Sequence, residues 1–291
     1  MSWYLATTVN RLPENRYVYI NNETTENEWR NGYLILKDGS YRYLDYIIVG
    51  GGAPGGEIIF NGPQQGGGGG GSGYLKSTMT NNTTNNGYIY NINTITTVGG
   101  RLIIPSNITK ISVIIGEGNR ALGSWGTTSI LFDSIEQVNV DGGEFGRNST
   151  PPDNGRGGNG FNGGGGACGV EAGGGGAGTG GANGFGAPSE DEPGRGGGIG
   201  GGWSPRAPGN FNSSGENAGG GGGAGTAVTL VNGLNTGGNG AGSYQTLGNI
   251  NSRPGWDYTG GGGGGASNNV GSGRMPPSPG GKGYAILYFY N

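Results

Sequence analysis

Runs of consecutive glycine recur through this chain, at 163–166, 173–176, 196–198, 219–223 and 260–265. No other feature restricts the fold so strongly. A residue without a Cβ buries no side chain, and ordering it costs ~0.5–1 kcal/mol more than ordering Ala. Of the 76 glycines among 291 residues, only 22 precede Asp141. The second half of the chain is built from different material than the first.

Three states fit such a segment. A collagen triple helix needs an unbroken Gly-X-Y repeat rich in Pro, and this chain leaves that phase repeatedly. A Gly-rich linker needs no partner at all. The third is a packed bundle of extended threefold helices of the polyproline-II type, built here from glycine. Such a helix makes no internal hydrogen bonds, so neighbouring segments must pair its backbone groups. Positions 157, 160, 163, 166, 169, 175, 178, 181 and 184 are all Gly, and 172 and 187 are Ala, a three-residue phase that favours the bundle. Hydrogen bonds worth ~0.5–1.5 kcal/mol each offset the glycine entropy only when nearly every group is paired. The bundle is the expectation carried forward, over residues 141–283.

Residues 44–140 read as antiparallel β-structure, with residues 1–43 as an N-terminal β element and 284–291 as a strand returning to the sheet. Asp38-Gly39 lies between β-rich runs and predicts a two-residue hairpin. Strands are expected at Gly87–Val98, Arg101–Ile104, Lys110–Ile115, Ser129–Phe132 and Gln137–Val140, from their Ile, Val, Thr and Tyr content. The final strand, Tyr284–Tyr290, is expected to pair with Tyr46–Val49. No stretch carries a convincing helical period, so almost no α-helix is predicted.

The stretch YIIVGGGAPGG (Tyr46–Gly56) places Gly50, Gly52 and Gly55 at the G-x-G-x-x-G spacing of a dinucleotide fingerprint. That motif needs a helix starting at the glycines and an acidic residue ~20 positions on. Pro54 and GGEIIFNGPQQGGGGGG cannot form that helix, and GYLKSTMTNNTTNNG supplies no acid. The strand is instead expected to hand its chain to the glycine bundle, with no cofactor.

Other chemistry is sparse. The chain has no His and one Cys, Cys168, which removes the commonest general base, any internal disulfide and any cysteine-clustered zinc site. Ser189–Arg195 (SEDEPGR) lacks the alternating spacing of a calcium loop and reads as a solvated turn. Asp141 with Glu144 forms no acid–base constellation. Arg156-Gly-Gly and Arg195-Gly-Gly resemble RNA-binding segments but are too few in a chain of net charge −3. Sequons begin at Asn22, Asn82, Asn107, Asn148 and Asn212, at a number that Asn/Thr-rich sequence produces by chance. No signal peptide and no membrane-spanning run are expected.

The segments YIIVGGG (Tyr46–Gly52), RLIIPSNITKISVIIGEG (Arg101–Gly118), GTTSILF (Gly126–Phe132), VDGGEFG (Val140–Gly146) and GGKGYAILYFY (Gly280–Tyr290) follow one pattern. Taken together they resemble the glycine-rich domain family of phage tail-fibre and other viral proteins, and of some bacterial and protist surface proteins. The resemblance spans roughly residues 44–291. It implies a β-sandwich beside polyglycine-II helices, with exposed loops between tracts. The long Asn-rich insert after Gly71 departs from that pattern.

Trp203, Phe211, Tyr244, Trp256 and Tyr258 fall between the tracts. A glycine bundle has no slots for large rings, so these either cap the bundle, the commoner fate, or recognise a glycan or protein surface. The resulting expectation is a non-enzymatic structural protein on the surface of a virion (fibre, spike or capsid-associated). Its partners would be other copies, other virion proteins or a host surface, with no nucleic acid and no membrane insertion. An extracellular filament or matrix protein and an ice-binding protein are the alternatives.

Overall fold

A computed structural model describes residues 16–20, 32–35, 41–57, 67–78, 84–85, 88–89, 100–118, 126–148, 155–160, 163–166, 177, 243–246, 249–252, 255, 260–269 and 273–290. Among these residues the regular structure is antiparallel β, and no α-helix occurs.

Two sheets carry the apolar part. In the first, the strands β1 (Arg16–Ile20), β15 (Tyr284–Tyr290), β3 (Tyr43–Val49) and β4 (Leu75–Ser77) lie in that spatial order. A short β7 (Leu102–Ile103) pairs Tyr43 and Leu44 of β3, and β4 pairs Ile47–Val49. The second sheet runs β10 (Ile135–Val140), β9 (Thr128–Phe132), β8 (Lys110–Ile114) and β2 (Gly32–Ile35). Successive side chains in a strand point to opposite faces, and alternate residues of β3, β15, β8, β9 and β10 enter one shared core. Leu44, Tyr46 and Ile48 contribute from β3, and Ala285, Leu287 and Phe289 from β15. Ile111, Val113, Ile130, Phe132, Val138 and Val140 contribute from the second sheet.

The last strand pairs β3 along its whole length, Tyr284 with Val49 through Tyr290 with Tyr43, as expected from the sequence. The Asp38-Gly39 hairpin expected from the sequence lies outside the described residues. The strands on either side of it join different sheets, β2 beside β8 and β3 beside β15. A tight reversal occurs instead at Asp133 (φ 44°) and Ser134 (φ 72°), between β9 and β10. These two positive φ values suit a primed hairpin turn, which Asp tolerates. The Asp133 carboxylate accepts the Lys110 amide at 2.9 Å, tying the turn to β8. Three small ribbons complete the β-structure: β5 (Thr84–Asn85) with β6 (Tyr88–Ile89), β11 (Ser243–Thr246) with β12 (Asn249–Ser252), and β13 (Ser267–Asn269) with β14 (Gly273–Met275). Of the strand expected over Gly87–Val98, only Tyr88–Ile89 lies within the described residues.

The glycine segments pair with one another in a fixed rhythm. Along 50–57, the amides of Gly50, Ala53 and Gly56 donate to the carbonyls of Tyr74, Gly71 and Gly68. Those of Gly52 and Gly55 donate to Gly281 and Ser278. Along 67–74, Gly67, Gly70 and Gly73 donate to Ala266, Gly263 and Gly260, while Gly68, Gly71 and Tyr74 donate to Arg147, Glu144 and Asp141. The partner segment changes with each residue and returns on the third. Pro54 falls in the column of Gly51, so its missing amide leaves both other columns of 50–57 intact.

Glycine is required here by proximity. Among the described glycines only Gly155 and Gly260 have positive φ. A Cβ placed on Gly67 would stand 1.9 Å from the Gly56 oxygen, and one on Gly265 1.9 Å from that of Gly67. The segments approach until backbone meets backbone, which only the absence of a side chain permits.

Candidate functional site

Four glycine segments are direct continuations of strands. Val49 of β3 leads into 50–57, 67–74 leads into β4, Val140 of β10 leads into 141–148, and 276–283 leads into β15. One end of the glycine array is therefore anchored in the two sheets. At the opposite end the chain leaves at Glu57, Asn148 and Ala266 and re-enters at Gly67, Gly155 and Pro276. Bonds from Gly56 to Gly68, Gly68 to Arg147, Gly67 to Ala266 and Ala266 to Gly56 tie these points together. Glu57 adds an amide bond to the Asn148 side chain at 2.8 Å. The β13–β14 ribbon connects Ala266 to Pro276 at this far end. Sequence reasoning did not single out this ribbon, whose sequence carries no aromatic residue.

The three glycines of the dinucleotide spacing lie inside this array. Their amides donate to Tyr74, Gly281 and Ser278, and residues 51–57 form no helix. The backbone groups that would cradle a pyrophosphate are already used by protein.

One flank of the array bears charge. Asp141, Glu144 and Arg147 are exposed at three-residue steps, and Arg156 is exposed on the adjoining segment. The Glu144 amide donates to Asn159, and the Arg147 amide donates to Arg156, so the two segments run antiparallel. Asn159 donates its side-chain amide to Glu144 Oε2 at 2.8 Å and accepts the Ala177 amide at 2.7 Å. Arg147 reaches Glu144 at 4.0 Å, with both side chains about half exposed, a geometry that contributes little. Burial, then Glu144 and then Asp141, push the Tyr74 phenol above its ordinary range.

Of the sequence-predicted site residues, Trp203, Phe211, Trp256 and Tyr258 lie outside the described residues, and Tyr244 is placed only by its backbone, on β11. The insert carrying Trp256 and Tyr258 is held by Gly255, bonded to Pro279, and by Gly260, bonded to Lys282 near the sheets. Cys168 and Ser189–Arg195 also lie outside the described residues. Among the described residues no cluster of three or more His, Cys, Asp or Glu could hold a metal, and no helix is long and apolar enough to cross a membrane. Comparison with protein-family models and with curated proteins finds no match to this chain.

Proposed function

We propose that this chain is a non-enzymatic structural protein of a virion surface, in which a β-sandwich anchors a bundle of polyglycine-II helices that serves as a rigid platform. The observation that carries the reading is the three-residue return of hydrogen-bond partners across segments 50–57, 67–74 and 141–148. A threefold helix directs successive amides to three different neighbours, whereas a strand alternates between two sides. The shared core between two antiparallel sheets supports the sandwich.

A bundle held by paired backbone resists local opening, and unpaired turns take up the variable chemistry. The turns between tracts are then the surfaces offered to a host or to a neighbouring subunit. Limited proteolysis of the particle-borne protein tests the platform: cleavage should fall in the inserts while the tracts survive intact. Antibody labelling of intact particles tests the location. Labelling of an extracellular fibre instead of a particle transfers the same architecture to the filament reading.

A further inference from the structure

Asn159 and Gly160 are closed in by four hydrogen bonds. The Asn159 carbonyl accepts the Glu144 amide at 2.7 Å, and its side-chain amide donates to Glu144 Oε2 at 2.8 Å. Its side-chain oxygen accepts the Ala177 amide at 2.7 Å. The Ala177 carbonyl in turn accepts the Gly160 amide at 3.1 Å. Ala177 directly follows the tract 173–176, so this pair holds a further segment to the array.

An Asn-Gly pair is chemically labile, because glycine carries no side chain to shield its amide nitrogen from the Asn side chain before it. In that reaction the Gly160 nitrogen would lose its proton to solvent and bond to Asn159 Cγ. Nδ2 would take up a proton and leave as ammonia. Water then opens the cyclic imide at either carbonyl, giving Asp or an isoaspartyl residue whose main chain runs through the side-chain carbon. Here the attacking nitrogen donates to Ala177, and the Asn159 side chain is fixed at both its nitrogen and its oxygen.

We propose that Asn159-Gly160 is a deamidation site held closed by the array, which converts only when the contact with Ala177 opens. Conversion to Asp replaces the donor to Glu144 with a second carboxylate. The isoaspartyl product lengthens the main chain by one atom between the carbonyl bonded by Glu144 and the amide bonded to Ala177. Either product weakens the docking that had prevented it. The pair is thus an irreversible record of opening at this edge of the array.

Peptide mass mapping of the full chain, stored near neutral pH, tests the site. Conversion at Asn159 should be at least about tenfold slower in native protein than in protein unfolded by guanidinium, because the contact must open first. Ala177→Pro removes the amide that holds the Asn159 side-chain oxygen, and proline suits an extended threefold segment. It should raise the native rate at least about threefold. Amide exchange at Gly160 should quicken in the same variant, which ties both rates to one opening. Equal rates in the native and unfolded wild type overturn the proposal whether or not the variant folds. An unchanged rate in folded Ala177→Pro overturns it as well.

Discussion

Thr128 donates its hydroxyl to the Val49 carbonyl at 2.8 Å, from the first residue of β9 to the last of β3. The Thr128 hydroxyl oxygen in turn accepts the Gly116 amide at 2.9 Å. One buried side chain thus joins both sheets at the point where the glycine segments begin. Replacing Thr128 by Val keeps the shape and strands two buried polar groups, at about 1–3 kcal/mol each. Denaturant unfolding should show Thr128→Val destabilised by roughly 2–5 kcal/mol, with Thr128→Ser losing much less because it keeps the hydroxyl. Equal losses for the two variants would remove the hydroxyl from the account.

Glycine positions should divide sharply by proximity. Gly67→Ala and Gly265→Ala drive a methyl into a carbonyl 1.9 Å away, whereas a Cβ on Gly100 meets nothing within 4 Å. The first two should lose more than ~4 kcal/mol or fail to fold, and Gly100→Ala should stay within about 0.5 kcal/mol of wild type. Thermal melts of the three variants decide it.

Asn159→Asp replaces an amide donor with a carboxylate against Glu144 Oε2 at 2.8 Å. Because this pair is largely solvated, the expected loss near neutral pH is about 1 kcal/mol. Amide exchange along 155–160 would report it, and an unchanged pattern would show that the side chain is no pin.

Alkaline pH should weaken the fold. Burial raises the Tyr46 and Tyr74 phenols above their ordinary value of 10.0. Their contribution is complete below pH 10.0, where both states hold the proton. Above it the unfolded chain ionises first, so stability falls until the folded phenols also ionise. Tyr74→Phe should flatten part of that decline in melts recorded as pH rises, and an unaltered slope would assign it elsewhere.

If the inserts form the recognition surface, Trp203→Ala with Trp256→Ala should weaken attachment at least tenfold, since an anchor ring contributes ~2 kcal/mol or more. Melting temperature should stay near wild type. Normal attachment, or unfolding of the double variant, assigns the rings to capping.

The strands that side chains dictate were legible. Lys110–Ile114, Thr128–Phe132 and Tyr284–Tyr290 are rich in β-branched, aromatic and other apolar residues, and each contributes side chains to the core. The ribbons Ser243–Thr246 with Asn249–Ser252, and Ser267–Asn269 with Gly273–Met275, left no such trace. Their sequences, SYQT, NINS, SNN and GRM, hold little apolar content, and backbone pairing carries them. The reversal at Asp133-Ser134 was hidden because it uses no glycine, while Asp38-Gly39 advertised a hairpin whose flanks separate. In the array, neighbours such as Gly70 and Gly263 lie far apart in sequence, and identical residues cannot encode which carbonyl each amide selects. The charged flank was visible only as scattered ions until the register aligned Arg147 with Arg156.

The return of partners on every third residue makes the tracts intolerant of changes in length. Inserting one residue into 67–74 would move Gly70 out of the column facing Gly263 and swing each later amide toward the wrong neighbour. Three residues inserted together would restore the columns beyond them and lengthen the array by one step. Insertions and deletions inside a tract should therefore survive only in threes, while the connections at 58–66 and 149–154 can grow or shrink by any number. Variation in such a chain is channelled to the far end, where new surface can be tried without disturbing the register beneath it.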